Sequence, residues 1–361
     1  MSRYPTAAFG LLQVQCTLGD FEDAIGSPAA VGRWYKLSIG PQPEQAQLPA
    51  RFAALTPTGF TQLSSGYTLS GSLRTVPGDG DRRPRSLGAA AVPSKPLPHW
   101  IVAACSVTAS AKIFSHATPI LHRVGTASAV RVRDVGQASF ASLENDRGHA
   151  VLHFDAGMPT AFNGETAPTH LSVHDDRRTP VVLSHWDWDH LHAALQIPAL
   201  QRRHWIVPDQ MIGPGAASLA IGLARRGRLH VWPGGHQSFA FGEIGECGGA
   251  SRNDSGLALL ASLSDNRAIL LTGDADYGSL STRFRRPVDG LVGTHHGARW
   301  KSGAAPPRPL AGRASYLLSY GPNNQYGHPH PDSLRQHWRA GWLSPRTTAG
   351  RRGQPRGDQF A

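Results

Sequence analysis

The sequence predicts an α/β (α+β) fold that is rich in short strands. Glycine (40 residues) and proline (28 residues) are abundant among the 361 residues, which favours many turns over a bundle of long helices. From about residue 129 onward, short apolar runs recur, and several of them are followed at once by clusters of polar residues. With 40% hydrophobic residues, the chain can bury the core of one large domain or of two modest ones.

The first 125 residues carry less information than the rest. Short apolar runs, such as the one at 100–103, alternate with segments rich in proline, glycine and serine, and residues 78–85 have the composition of an exposed loop or linker. No internal repeat and no cluster of chemically active residues occurs there. We predict a β-rich accessory region at 1–125 whose role is unknown and which could dock a protein partner.

Residues 126–343 have the pattern of a many-stranded domain. Residues 130–133 alternate as in a strand, 138–143 can form its partner, and 149–154 lead into a loop at 155–157. A further strand is followed by a helix that should stop near Pro198. More apolar runs of strand length follow, at 205–207, 229–232, 257–263, 268–271, 290–292 and 315–319.

The most informative stretch comes directly after the apolar run at 181–183. After a single serine, four candidate metal ligands lie within six residues: His185, Asp187, Asp189 and His190. Alternate side chains of an extended segment face the same way, so the first three can converge while the fourth closes from the start of a helix. Helix capping would explain one acid but not the cluster. Since burying so many ionisable groups without a cation is costly, the stretch predicts a metal site.

Polar groups also follow three later apolar runs. Asp274 follows the first, His295 and His296 the second, and Tyr326 and His328 lie a few residues after the third. Each alone could be a turn acid, a core histidine or a loop residue. In an α/β architecture, however, strand ends lie along one rim of a sheet, where active sites are built. The recurrence therefore indicates one shared site.

The order of these motifs resembles the metallo-β-lactamase fold, and within it the hydrolase domain of ComEC-type DNA-uptake (competence) proteins. The similarity covers about residues 129–343. The matching motifs are DVGQ at 134–137, FDAG at 154–157, SHWDWDH at 184–190, ND at 253–254, LLTGD at 270–274, HHG at 295–297 and SYGPNNQYGHPHP at 319–331. The resemblance implies a four-layer αβ/βα sandwich with two metal ions between the sheet edges.

The resemblance also implies a set of metal ligands. Carried over by position, they are His185 and Asp187 for the first metal, Asp189 and His190 for the second, Asp274 as the bridge, and His295 to complete the set, with His296 as its substitute. The chain departs from the family pattern at Ala138, Ser139 and Ala298, none of which is an implied ligand. These imidazole and carboxylate donors suit two divalent metal ions, Zn or Mn.

Two such metals can activate a bridging hydroxide and neutralise charge on a phosphoryl or carbonyl oxygen. As in the family, Asp189 would orient this hydroxide. Tyr326 and His328 are candidates to contact the oxyanion or to protonate the leaving group. The candidate substrate-binding residues are Asn324, Arg299 and Lys301. The basic residues after HHG could equally form a solvated loop, which is what most charge runs are.

The formal charge of +11 favours a polyanionic substrate. We therefore expect a dinuclear metal-dependent hydrolase, a phosphodiesterase or nuclease that acts on DNA or RNA. One alternative is the hydrolysis of a small phosphodiester, a cyclic nucleotide or an ester. Another is a non-catalytic nucleic-acid-binding or assembly component of a multi-protein system.

Three widely spaced cysteines, Cys16, Cys105 and Cys247, indicate reduced thiols and a cytoplasmic protein. No apolar segment reaches the roughly 20 residues that span a bilayer, so we expect no membrane association. The last residues, 344–361, are rich in arginine, glycine and proline. They predict a basic disordered tail.

Overall fold

The computed structural model describes residues 117–361, except for 160, 172, 174–177, 211, 213, 301, 311–313 and 351–354, and five strands before residue 117. The chain divides into two compact units, Met1–Ala89 and Ala90–Ala361. The described strands of the first unit are β1 Gly10–Val14, β2 Tyr35–Leu37, β3 Gln47–Thr56, β4 Gly59–Ser70 and β5 Leu73–Thr75. They form an antiparallel sheet of order β1-β3-β4 and an antiparallel pair of β2 with β5.

The second unit contains two seven-stranded sheets. The first has the order β11-β10-β9-β8-β7-β6-β19. Its strands are β6 Ala129–Val132, β7 Ala141–Glu144, β8 Ala150–Phe154, β9 Val181–Val182, β10 Trp205–Val207, β11 Leu229–Val231 and β19 Gln359–Phe360. Strands β8 to β11 are parallel, whereas β7, β6 and β19 continue the sheet in antiparallel fashion.

The second sheet has the order β12-β13-β14-β15-β16-β17-β18. Its strands are β12 His236–Phe239, β13 Gly242–Glu246, β14 Leu257–Ser262, β15 Ala268–Leu271, β16 Gly290–Val292, β17 Ser315–Leu318 and β18 Arg346–Thr347. Strands β15 to β18 are parallel and β12 to β15 antiparallel. Both sheets thus have a parallel half, which brings several strand ends to one edge.

Short helices lie before or between the strands of the second unit. They are α1 Ala117–Leu121, α2 Trp188–Leu191, α3 Ala193–Gln196, α4 Pro198–Gln201, α5 Pro214–Arg225 and α6 Pro331–Arg339. Pro198 occupies the first turn of α4, where its missing N–H costs nothing. The helix expected after the ligand strand is therefore three successive short helices. None of the helices in the described part of the chain is long and apolar enough to cross a membrane.

Three apolar clusters show the layering. The central cluster joins the two sheets face to face and contains Val182 from β9 and Leu271 from β15. Their chain neighbours Val181 and Leu270 face outward into two further clusters, the first with α3 to α5 and the second with the segments that cover the other sheet. Burial of each such side chain contributes about 1.5–3 kcal/mol. The predicted four-layer αβ/βα sandwich is confirmed.

The second unit begins earlier than the boundary expected at residue 126. Helix α1 lies before that boundary, yet Ala117 and Leu121 are fully buried and, with Val124, belong to the cluster between the sheets. The apolar pattern of these few residues is too short to predict a helix of the sandwich from the sequence. Their burial between the sheets makes them part of the second unit.

The end of the chain also differs from the expected disordered tail. Strands β18 and β19 add to the edges of the two sheets, and the terminal Ala361 is buried. Arg356 forms a bidentate ion pair with Asp134, at 2.5 and 2.9 Å. Composition alone suggested disorder, but edge pairing and this ion pair hold the described residues of 344–361 in place.

Candidate metal centre

The carboxyl ends of parallel strands place the candidate ligands. Strand β8 is followed by Asp155 and β9 by His185 in the first sheet. In the second sheet, β15 is followed by Asp274 and β16 by His295 and His296. Since β8 with β9 and β15 with β16 are parallel pairs, these residues lie at one edge of the sandwich.

Asp274 lies at the centre of four histidines. Its Oδ1 is 3.1 Å from Nε2 of His190 and 3.9 Å from Nε2 of His296. Its Oδ2 is 3.3 Å from Nε2 of His295 and 3.8 Å from Nε2 of His185. This is the placement expected of a bridging carboxylate, with each oxygen facing a different pair of imidazoles.

Two groups of donors could each hold an ion among the described residues. In each group, one ligand atom from every member lies within 4.8 Å of the others. The groups are His185, His190 and Asp274, and Asp189, His190 and His296. His296, which the family resemblance implied as the substitute for His295, therefore belongs to the second group. His295 faces Oδ2 of Asp274, whereas His296 faces Oδ1. The side chain of His295 is 34% exposed.

Asp187 lies between His185 and an arginine that the sequence did not single out. Its Oδ2 is 3.5 Å from Nε2 of His185, and its Oδ1 accepts a hydrogen bond from Arg252 at 2.8 Å. Burial would raise the pKa of Asp187, but His185 and Arg252 outweigh burial and hold it below its usual value. Asp187 is therefore ionised. Its Oδ1 is hydrogen-bonded to Arg252, and its Oδ2 faces the cluster.

The turn that carries the two later histidines has unusual backbone. His295 and His296 have φ values of 48° and 55°, in the left-handed region that residues with a Cβ rarely adopt. The turn is held by Nδ1 of His296, which lies 2.9 Å from the carbonyl of Ser319, and by His295 N–H, which donates to Gly273. Strained residues of this kind cluster at functional sites.

The buried polar atoms of the cluster fit a metal ion. Nε2 of His185, Nε2 of His190 and Oδ2 of Asp187 are buried and make no hydrogen bond. Buried polar atoms are almost always satisfied, because leaving one unpaired costs about 1–3 kcal/mol. All three point into the same cluster as Asp274. A divalent cation would satisfy them together.

The imidazoles and carboxylates of the cluster strongly shift one another's pKa. Burial would lower the pKa of His190, but the carboxylates of Asp274 and Asp155 raise it well above its usual value. Burial would raise the pKa of Asp274, but His295 and His190 hold it well below. A proton on His190 thus compensates part of the buried negative charge. Metal binding would release it.

The groups that orient His190 were not assigned from the sequence, although Asp155 lies in the FDAG motif. Oδ2 of Asp155 is 2.8 Å from Nδ1 of His190 and accepts from the hydroxyls of Ser184 and Ser139, each at 3.0 Å. The sequence signal for Asp155 was an acid directly after a buried strand. Trp186 is buried beneath the loop, and its indole N–H donates to the carbonyl of Pro208.

His328 lies beside the two later histidines. Its ring centroid is 5.7 Å from that of His295, 6.2 Å from that of His296 and 5.5 Å from that of Tyr326. Burial, reinforced by the two histidines, lowers the pKa of His328 to about 2. Its Nδ1 lies 3.0 Å from Nε2 of Gln137. His328 is thus neutral at neutral pH.

The three candidate substrate-binding residues have different positions. The amide of Asn324 is used within its own loop, donating to Gly321 and His328 and accepting from the His328 N–H. Asn324 therefore shapes the loop that carries His328. Arg299 is exposed, and its Nε lies 3.6 Å from a carboxylate oxygen of Asp332. Lys301 lies outside the described residues.

No protein-family model and no curated protein matches this chain. Three of the solved structures that are similar to it match over less than half of this chain, each with 15% sequence identity. One is an N-acyl homoserine lactone hydrolase with N-hexanoyl-L-homoserine at its catalytic metal centre, with a TM-score of 0.31 over 42% of this chain and 77% of that chain.

A second is a mutant of AiiA from B. thuringiensis with N-decanoyl-L-homoserine at its active site, with a TM-score of 0.32 and coverage of 42% and 77%. The third comes from work on how indirect contributions of mutations optimise a new enzyme function. It has a TM-score of 0.33 and covers 43% of this chain and 78% of that chain.

Proposed function

We propose that this chain is a metal-dependent hydrolase with two divalent ions, Zn or Mn, that cleaves phosphodiesters of DNA or RNA. The observation that carries the proposal is the convergence of unsatisfied buried donor atoms on Asp274 at the strand ends. His185, Asp187 and Asp274 would hold one ion. Asp189, His190, Asp274 and His296 would hold the other, with His295 beside Asp274. When bound, such ions neutralise negative charge on a phosphoryl oxygen and lower the pKa of water.

His328 is suited to hydrogen-bond a negatively charged substrate oxygen. Oε1 of Gln137 accepts from Gly321 N–H at 3.2 Å, which orients the amide so that its NH₂ group faces His328. Nδ1 of His328 must then accept, so in the neutral ring Nε2 carries the proton. A neutral imidazole with this tautomer can donate to an oxyanion. Hydrogen-bond donation is therefore the role of His328 that we propose, rather than protonation of the leaving group.

A phosphodiester is favoured by charge. The chain carries a formal charge of +11, and Arg252 reaches the cluster with a side chain that is 25% exposed. Among the described residues, the guanidinium of Arg252 pairs with a single carboxylate, that of Asp187. Its guanidinium can therefore also meet an anionic substrate.

The direct test measures metal content and cleavage of single- and double-stranded DNA and RNA with Mn²⁺ or Zn²⁺. We expect about two metals per chain and loss of cleavage in Asp189→Ala and Asp274→Ala. Asp265→Ala removes an exposed acid outside the cluster and serves as the control. Metal binding without cleavage of any of these nucleic acids would contradict the nuclease proposal. Tight nucleic-acid binding without metal-dependent turnover would instead indicate a binding component.

Arg252→Gln tests the preference for an anionic substrate. The neutral comparison substrate is an N-acyl homoserine lactone, the substrate class named for one of the similar structures. We expect the variant to raise KM for bis(4-nitrophenyl) phosphate more than KM for the lactone, because only the former loses a charge-assisted hydrogen bond. Arg226→Gln, at an exposed arginine, is the matched control. Equal effects on both substrates would show that Arg252 acts only through Asp187.

A further inference from the structure

A cleft outside the metal centre lies at the amino-terminal ends of the parallel strands of the first sheet. Thr179 precedes β9, His204 precedes β10 and Arg228 precedes β11, and all three line the cleft. The candidate metal ligands follow the carboxyl ends of such strands, as His185 does after β9. Because β9, β10 and β11 are parallel, the cleft and the metal centre lie at opposite edges of the sandwich.

The cleft is strongly basic. Its volume is about 630 Å³, within the range of about 300–1,000 Å³ that is usual for small-molecule sites. No aspartate or glutamate is present among the described residues that line it. The basic side chains in the lining are Arg123, His149, Arg178, His204 and Arg228. A concave surface with one sign of charge concentrates counter-ions of the other sign.

The guanidinium of Arg228 is held by a pair of imidazoles. Nη1 of Arg228 lies 2.5 Å from Nε2 of His204, and Nδ1 of His204 lies 2.8 Å from Nε2 of His230. Since a guanidinium only donates, Nε2 of His204 accepts and Nδ1 carries the proton that it donates to His230. His230 is buried on β11. Neutral groups thus fix the position of Arg228 without cancelling its charge.

A second arginine, Arg123, adds positive charge to the same cleft. Burial, Arg228 and Arg123, in that order, lower the pKa of His204, which keeps this imidazole neutral. The two guanidinium groups therefore act on one imidazole from within the same cleft. Each offers a planar fork of donors that matches the oxygens of a phosphate.

The rest of the lining is apolar or neutral. Ile120, Val124 and Val151 provide an apolar wall, and Asn145 adds an amide. The cleft therefore combines a cationic part with an apolar part. Apart from imidazole, no aromatic ring occurs in its described lining, so the stacking platforms typical of single-strand binding are not found there.

We propose that this cleft binds a small phosphorylated ligand of nucleotide size, with the phosphate on Arg228 and Arg123 and the organic part against the apolar wall. The site is separate from the metal centre. The proposal goes beyond the hydrolase function and does not depend on it.

Calorimetric titration of the full chain with inorganic pyrophosphate and with AMP tests the proposal. The titration uses the chain both loaded with metal and after chelation, because binding at this site must survive chelation. We expect binding in both states, weakened at least about tenfold in Arg228→Gln and in Arg123→Gln. Arg226→Gln is the matched control, since Arg226 is exposed, donates to Gly222 and does not line the cleft.

Arg123 keeps the test decisive if Arg228→Gln does not fold, because the side chain of Arg123 is exposed. Circular dichroism would check the fold of each variant. The proposal is overturned if neither probe binds, if binding disappears on chelation, or if all three variants bind equally well. A single-stranded oligonucleotide that needs Arg228 for binding, while AMP and pyrophosphate do not bind, would also overturn the assignment to a small ligand.

Discussion

Oδ2 of Asp155 lies 2.8 Å from Nδ1 of His190, and both side chains are fully buried. The other oxygen of Asp155 accepts the backbone N–H of Ser184 at 2.7 Å. A carboxylate only accepts, so Nδ1 of a neutral His190 carries the proton and Nε2 is left with a lone pair toward Asp274. Carboxylates behind histidine ligands fix ring orientation and tautomer in this way.

Asp155→Asn should therefore weaken metal binding about 10–100-fold. Asp155 has a φ of 62°, which asparagine tolerates, so the backbone can stay in place. The Ser184 N–H keeps the amide oxygen on its side, which turns the NH₂ group toward His190 and moves the ring proton to Nε2. Competition with a chromophoric zinc chelator measures the effect, with the exposed Asp146→Asn as control. An unchanged affinity would contradict the orienting role of Asp155.

Gly157→Ala should disrupt the same loop. A Cβ at this position would lie 1.7 Å from the carbonyl oxygen of Asp189 and 2.6 Å from that of Ser139. Neither can easily move, because Asp189 O accepts from Ser139 N and Ser139 O accepts from Gly157 N. We expect a loss of about 3 kcal/mol in the free energy of unfolding, measured in urea, together with reduced metal content.

Gly164→Ala is the control for this substitution, because no atom lies within 4 Å of a Cβ built there. It should leave both stability and metal content nearly unchanged. If Gly157→Ala behaved like Gly164→Ala, the close approach of residue 157 to Asp189 would not hold in solution.

The strands and the main cluster were predictable because their signals are local, whereas the four-layer arrangement was implied only by the family resemblance. Alternating apolar runs set the strands, and the spacing of His185, Asp187, Asp189 and His190 within six residues indicates metal binding without knowledge of the fold. Asp274 could be added as a fifth member because it follows a later strand. Spacing and strand ends thus identify residues that the structure brings together.

The supporting residues could not be predicted in the same way, because their contacts span long stretches of chain. Arg252 is 65 residues from Asp187 in sequence. Gln210 joins the two loops, since its Oε1 accepts from Trp186 N–H at 3.3 Å and its NH₂ donates to the Arg252 carbonyl at 2.7 Å. Nothing local distinguishes this arginine or this glutamine from others. Asn324 shows the reverse, since its motif suggested substrate contact but its amide serves its own loop.

Arg356→Gln tests whether the end of the chain is part of the fold. Its ion pair with Asp134 is bidentate, and Asp134 is only 9% exposed, so removal of the arginine leaves a nearly buried carboxylate with one partner fewer. We expect a loss of about 1–2 kcal/mol in the free energy of unfolding. The exposed Arg339→Gln removes the same charge elsewhere and should have little effect. Equal stability of the two variants would restore the interpretation of a disordered tail.

A buried histidine outside the metal centre should make stability depend on pH. Nδ1 of His337 lies 2.8 Å from the carbonyl of Ser333 and therefore donates to it, and Nε2 lies 2.8 Å from the hydroxyl of Tyr277 and accepts from it. The bond from Tyr277 requires a neutral ring, because a protonated Nε2 cannot accept. Burial lowers the pKa of His337 to about 4, against 6.5 for an ordinary histidine.

Between these two pKa values, the unfolded chain binds the proton and the folded chain does not, so acid favours unfolding. The contribution of His337 to stability is complete above pH 6.5 and falls until about pH 4. Lowering the pH from about 7.5 to about 5 should therefore reduce the free energy of unfolding by about 2 kcal/mol through His337 alone. Urea unfolding of the chelated chain should show that His337→Gln loses less stability over this interval than the parent, whereas the exposed His170→Gln should follow the parent. Parallel curves for the parent and His337→Gln would show that this histidine is not kept neutral by burial, since only a group whose pKa differs between the two states changes the slope.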